Sequence, residues 1–584
     1  MAFISARARF KSPDARRSWL PGVKPLVFAI LLAGLCYQVL LPFAMIVWTS
    51  LKAVRPGDPG FLTLEFTFAN YSRALASQSF WQSAWNTLEF AGAATSIAFV
   101  IGATTAWVVE RTDMPLRRFV GLMMVARIII PGILITASWI LLASPNIGFF
   151  NQLARDVAGL RNPFNIYSFG GMVWVQSIEM APLAFLLLSA SFKSMDPRLE
   201  EAAAMAGANT TRALWRIALP LSMPAIAAAF LLIFVTTVET FEAPLLIGTR
   251  AKISVFTTEI YQATTQTPVN WGRSAAYSVT LLILSIVLLL AYSTLVRNSR
   301  RYQTISGKDF RPRRIELGRW RYAACALSLA VVATTTGAPL AVMIYASLLR
   351  TIQGNGVPFL ARVSLTNYQQ LIESGRVWTS LLNSTLLGVG TATFVVLLVA
   401  LIAYFIHRTR LPGRKWLEFL AFAPIAIPGV VLGATFVWLY LLIPAPILGT
   451  LFIIGLAFVT KYMPFALRFV SNSLLQINPE LEEAAEVAGV PFLWTFFRLI
   501  LPLMKPGLVA AWFWVLVHAY RELTVALLLS RGGNRTAAVV ILDLWQEGSF
   551  LKLSAFGVIL FAILLTIVLL SNALQKRYGL REQY

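Results

Sequence analysis

Ionisable side chains are costly inside apolar sequence, and seven of those this chain keeps there stand out. Glu179, Glu239, Glu242 and Glu522 bring carboxylates, while Arg127, Lys461 and Arg521 bring cations, each within or at the rim of a long apolar run. At membrane depth such groups face protein or water. Two uses fit. They can form ion pairs between helices or snorkel to a membrane surface. Alternatively, Glu239, Glu242 and Glu522 can line a passage as oxygen ligands or a gate for a cation, with Arg127 favouring an anion. His407 and His518 are the only histidines and have no partner at ligand spacing, so no stable metal site is expected. Cys36 and Cys325 both fall in apolar runs, which gives no disulfide framework. No nucleophile and base stand in a meaningful arrangement.

A second set of residues is polar and repeated. Glu201-Ala202-Ala203 with Gly207, and Glu483-Ala484-Ala485 with Gly489, both read E-A-A-x3-G-x9-[IL]-x-L-P and end at Pro220 and Pro502. Asp196-Pro197 and Asn478-Pro479 supply a capping oxygen followed by a proline whose missing N–H does no harm at the first helical position. Glu200-Glu201 and Glu482-Glu483 suit the positive end of a helix dipole, and the glycines suit a left-handed terminator. The pattern predicts a helix of about ten residues, roughly 15 Å long, outside the hydrocarbon. Its alanines leave it thin enough to enter a groove. One copy could be an ordinary capped surface helix; two copies at fixed spacing argue for one docking element per half.

The elements that position these residues are membrane helices. The chain has 584 residues, 58% of them hydrophobic and 13% charged, with mean hydropathy +0.70. That composition lies outside the soluble range. Spanning the hydrocarbon takes about 20 apolar residues, and about twelve such runs are present. In the first half they cover approximately 26–49, 87–109, 119–143, 171–192, 220–247 and 275–296; in the second, 322–348, 385–406, 417–442, 448–470, 507–529 and 554–574. With these spans, roughly 32 of the 49 lysines and arginines fall on the side that holds both termini, which the positive-inside rule makes cytoplasmic. The net charge of +23 is therefore assigned to membrane topology and lipid, not to nucleic acid. The run at 26–49 is expected to remain as a first helix, because no small-residue cleavage site follows it.

The halves are copies. Asn86 matches Asn383, Arg111-Thr112 matches Arg408-Thr409, and Pro131-Gly132 matches Pro428-Gly429, all at an offset of 297. The polar loops match at 282, so about 15 extra residues lie in the first half near Asn151 to Tyr167. Six spans per half give the two halves the same orientation, related by an axis along the membrane normal. Residues 1–25 form a tail, 26–297 the first repeat, 298–318 a basic linker and 319–584 the second repeat. At the 282 offset Glu179 faces Lys461 and Glu239 faces Arg521, opposite charges at equivalent positions.

The two loops resemble the EAA loops of permease subunits in binding-protein-dependent ABC importers, the MetI-like or type I group. The resemblance implies an all-α membrane protein of two parallel six-helix repeats, with MetI-like cores near 86–296 and 383–574. It assigns Glu201, Ala202, Ala203, Gly207, Glu483, Ala484, Ala485 and Gly489 to the surface that meets an ATPase. It also implies two copies of that ATPase carrying ATP and Mg, a separate periplasmic or extracellular binding protein, and the bacterial inner membrane. This chain has no G-x-x-x-x-G-K-[ST] phosphate loop, so it is expected to be no enzyme and to hold no cofactor. The fused layout, with Pro163 to Ser168, Phe241-Glu242-Ala243-Pro244 and Thr304 to Arg313, looks like permeases assigned to ferric iron. Thiamine, polyamine, phosphonate and sugar phosphate permeases are more distantly similar. A gradient-driven 6+6 transporter is the competing class.

Overall fold

The computed structural model describes residues 22–193, 205–206, 216, 219–299, 315–351, 363–443 and 446–577. The described residues are helical, apart from loops and two isolated bridges, Thr112 with Ile315 and Leu349 with Val363. The first half contains α1 (Val23–Ser50), α2 (Ala69–Ala76), α3 (Gln78–Arg111), α4 (Arg117–Arg127), α5 (Gly132–Ala143), α6 (Phe149–Ala158), α7 (Phe169–Lys193), α8 (Leu219–Val238), α9 (Phe256–Thr265) and α10 (Trp271–Ser299). The second half contains α11 (Trp320–Ser347), α12 (Thr366–Glu373), α13 (Gly375–Arg408), α14 (Arg414–Phe422), α15 (Gly429–Leu442) and α16 (Leu451–Leu475). It continues with α17 (Glu480–Val487), α18 (Phe492–Leu503), α19 (Lys505–Arg521), α20 (Thr524–Leu529), α21 (Ala537–Gln546) and α22 (Phe550–Arg577).

Eight of these helices are long and apolar enough to cross a membrane. Three bent pairs and the shorter apolar helix Ser222–Val238 account for the other expected spans. The runs 119–143 and 417–442 are not straight, however. Each turns sharply, by 107° between α4 and α5 and by 110° between α14 and α15. Proline is the cause: it disfavours the helical region for the residue before it, and Pro131 and Pro428 are themselves extended (φ −57°, ψ 140° and φ −55°, ψ 143°). Helix restarts on the following glycine. The expected spans 220–247 and 507–529 are also interrupted, at Val238 and Arg521.

The repeat survives in geometry. α3 and α13 each have 34 residues and α7 and α16 each have 25. Asn70 donates to the carbonyls of Ser50 (3.0 Å) and Lys52 (2.8 Å), and Asn367 donates to those of Ser347 (2.9 Å) and Leu349 (2.7 Å). Tyr71 and Tyr368 repeat a bond to the serine hydroxyls. The extra first-half residues form α6, held by Asn151 through the carbonyls of Ser144 and Phe164.

The halves interlock. α1 packs on α10 of its own half and on α15 of the other, and α11 packs on α22 and across on α5. α9 reaches α15 while α21 reaches α5. This exchange is self-complementary, as a twofold interface requires. Its centre is α5, buried at every residue, and α15, buried at all but its last two.

Candidate functional site

All seven charged candidates come to one region, and most stand where a helix is interrupted. Arg127 ends α4 just before the bend, Glu239 and Glu242 follow the end of α8, and Arg521 and Glu522 close α19. Glu179 and Lys461 lie inside α7 and α16, three residues before the internal prolines Pro182 and Pro464. Broken helices free backbone groups and admit polar neighbours at depth. Arg127 lies within electrostatic reach of Glu179 and Arg521. Glu242 lies near Glu179, Glu522 and Lys461, Arg521 near Glu179, Glu242 and Glu522, and Glu239 near Lys461. Four carboxylates and three cations drawn from both halves thus share one field. Arg127 and Glu522 are buried, whereas Glu179, Glu239, Glu242, Lys461 and Arg521 keep partial exposure.

Direct pairing is local. Lys461 Nζ lies 2.7 Å from Glu522 Oε2, within the second half. Opposite charges at equivalent positions pointed to ion pairs across the twofold axis; among the described residues the contact pair forms instead on one side of it. Tyr462 donates its hydroxyl to Glu522 at 2.9 Å, and the Val525 N–H donates to the other carboxylate oxygen at 3.2 Å. In the first half the Glu179 carboxylate lies so close to Gly132 that a Cβ there would collide with it. At the matching place, Lys461 Nζ would lie 2.9 Å from a Cβ on Gly429. Arg127 donates to the carbonyls of Thr335 (3.1 Å) and Ile130 (3.3 Å), so it ties α4 to α11 of the other half.

Sequence reasoning missed the aromatic neighbours. The His518 ring stacks on Trp514 at 3.8 Å, and Trp514 stacks on Phe465 at 5.0 Å, with Tyr462 edge-on to Trp514 and His518. Helical spacing in α16 (462, 465) and α19 (514, 518) carried the signal. At another point of the interface Arg250 lies between the rings of Tyr167 (5.3 Å) and Trp545 (5.4 Å), the second from the other half. Among the described residues, no three His, Cys, Asp or Glu come together to hold a metal ion.

Of the repeated loops, Glu201, Ala202, Ala203 and Gly207 lie outside the described residues. The second copy forms α17, eight residues rather than about ten, starting one residue later than the cap pattern predicts. Asn478 Oδ1 accepts the Glu480 N–H at 3.1 Å. At the far end Val490 N–H bonds the Ala485 carbonyl and Gly489 N–H that of Glu486, both at 3.0 Å, with Gly489 at φ +73°. This is the two-bond glycine terminator. No α17 residue is buried; Glu483, Ala484 and Gly489 are exposed and Ala485 half-exposed. Glu482 pairs with Arg408 Nε at 3.2 Å and Glu486 with Lys24 of α1 at 3.7 Å. Burial pushes the Glu482 carboxyl up from the ordinary glutamate range, against the pull of Arg408.

The pattern of the family described as "Binding-protein-dependent transport system inner membrane component" matches this sequence twice, over residues 98–301 and 397–581. The chain belongs to that family. Every candidate residue above falls within one of the two matched stretches of this inner membrane component. Among curated relatives, the "Ferric transport system permease protein FbpB" of Actinobacillus pleuropneumoniae is 28% identical over 425 residues, covering 72% of this chain. The chain spans 61% of that relative's length. The "Fe(3+)-transport system permease protein FbpB 2" of Haemophilus influenzae is 23% identical, over 68% of this chain and 75% of the relative. A solved bacterial ABC transporter involved in the import of the acidic polysaccharide alginate has a chain 21% identical, matching 48% of this chain and 97% of its own at a TM-score of 0.39.

Proposed function

We propose that this inner membrane component is the complete translocation pathway of an ATP-driven importer, with ferric iron as its cargo. It is no enzyme itself. Two copies of a partner ATPase, holding ATP and Mg, seat against the repeated E-A-A helices, one per half, and a separate binding protein delivers the cargo to the opposite face. The side rich in lysine and arginine is cytoplasmic and holds both termini. One observation carries the proposal: charged residues from both halves converge where the membrane helices are broken, which is where transporters built from repeats place their sites. Ferric iron is a hard cation suited to oxygen, and the two curated relatives described above carry ferric names. Carboxylates spread along a route bind weakly enough to release, as conduction demands.

In this scheme ATP binding draws the ATPases together and carries both docking helices with them. The two halves then rock about the twofold axis, opening the pathway to the binding protein, and hydrolysis resets it. The test is ferric iron uptake into vesicles holding the full complex with the binding protein outside. Uptake that depends on internal ATP and persists after ion gradients are collapsed is the expected result. Uptake that follows a proton or sodium gradient without ATP would establish the gradient-driven class, and ATP-driven uptake of another cargo in place of iron would remove iron alone.

A further inference from the structure

We infer that Arg408 is a positioning residue that locks the ATPase-facing helix α17 to the pathway helices α13 and α16; this rests on the assignment of α17 as that helix. Arg408 is the last residue of α13. Its Nη2 donates to the Leu474 carbonyl at 3.0 Å and also to that of Ile477, at the end of α16. Its Nε lies 3.2 Å from Glu482 Oε1, in the first turn of α17, as an ion-pair contact outside hydrogen-bond geometry. One planar group therefore joins three elements. A guanidinium presents its donors in a rigid fork, which a lysine ammonium cannot copy.

The pair is shielded. The Arg408 and Glu482 side chains are only 10% and 14% exposed, so salt screens them little. Tyr404 of α13 adds a side-chain hydrogen bond to Glu482, while the Lys24–Glu486 pair is 41% and 78% exposed and is worth little by comparison. Leu474 stands thirteen residues beyond Lys461 on the same helix, about 20 Å along its axis. A shift of α17 thus reaches the charged cluster along one helix, which carries Pro464 between the two points, provided Arg408 holds. The sequence repeats the arrangement: Arg111 ends α3 as Arg408 ends α13, and it is fully buried. Glu200, at the position equivalent to Glu482, lies outside the described residues.

The experiment uses the full complex in vesicles, reading ATP hydrolysis stimulated by loaded binding protein, ferric iron moved per ATP, and co-purification of the ATPase. R408K and R408E should retain the ATPase yet move at least about tenfold less iron per ATP, the scale of a lost charged hydrogen bond. The exchange R408E/E482R should recover part of that ratio. A wild-type ratio in R408K, or an exchange no better than R408E alone, overturns the proposal. E483R changes an exposed residue of α17 that Arg408 does not touch. If E483R keeps both ATPase co-purification and transport, it is the assignment of α17 that fails, whatever the Arg408 variants do.

Discussion

At the start of α5 a carboxylate lies against the first glycine, and at the start of α15 an ammonium does. The first turn of a helix has unpaired N–H groups and a partial positive charge, so Glu179 is stabilised where it sits and Lys461 is opposed. Lys461 is offset by Glu522, which is held in turn by Tyr462 and Val525. The halves differ again beside this point. Tyr462, Phe465, Trp514 and His518 pack their rings together in the second half, where an offset of 282 gives Met180, Leu183, Leu232 and Thr236 in the first. The frame of glycines, prolines and anchoring asparagines is common to both, while the electric field and the wall are not. Duplication therefore preserved the helix frame and let the charged and aromatic side chains around its breaks diverge.

Breaking the comparison at its most asymmetric point should give the largest effect. Lys461→Ala strands the Glu522 carboxylate, and losing one partner of a buried pair costs about 3–5 kcal/mol; the donors from Tyr462 and Val525 should keep the loss near the lower figure. Glu179→Gln removes a helix-terminus interaction of about 1 kcal/mol. Thermal melting of the purified proteins should rank them in that order, and equal losses would show that the halves are not energetically distinct here.

The glycines sharpen the same contrast. Gly132→Ala forces a Cβ deep into the Glu179 carboxylate, whereas in Gly429→Ala the tip of Lys461 is met only at 2.9 Å, a shallower overlap. Overpacking costs about 1–3 kcal/mol, and the first-half variant should melt lower and transport less than the second-half one. Removing carboxylates without removing cations is a gentler change. Glu239→Gln with Glu242→Gln should lower iron uptake several-fold while leaving binding-protein docking intact, and unchanged uptake would return these residues to a structural role.

The smallest expected effect is one of pH. With its value raised by burial, Glu482 takes up a proton in milder acid than a free glutamate. Its own contribution to folding thus rises as pH falls through the raised value, and stops changing below the ordinary one. Over that window Arg408 loses its charged partner, with Tyr404, Lys24 and Glu486 the other groups facing Glu482. Iron moved per ATP should fall modestly as the α17 side is acidified, and E482Q should show no such slope.

Much of this was legible in the sequence, for identifiable reasons. Apolar length marks a span whatever its shape, so the runs were found, but hydropathy does not register direction. Pro131-Gly132 and Pro428-Gly429 stood out as repeat markers without showing that a helix restarts there inside the membrane. The alignment identified which charges occupy equivalent positions. It could not show that Lys461 reaches along its own half to Glu522 instead of across to Glu179, because side-chain reach is a tertiary property. The paired Asn70-Tyr71 and Asn367-Tyr368 were readable at the 297 offset and extend the repeat to the ends of α1 and α11. The cap pattern of the second loop gave α17 within a residue or two, since capping is local chemistry.

Arg250 sits between a ring from each half. An exposed cation over an aromatic face is worth about 0.5–1 kcal/mol, close to thermal energy, and it keeps nearly the same strength as the rings slide a few tenths of an ångström. Such a contact behaves like a greased clasp: it registers one half against the other, yet breaking that single contact costs little more than the jostling of water.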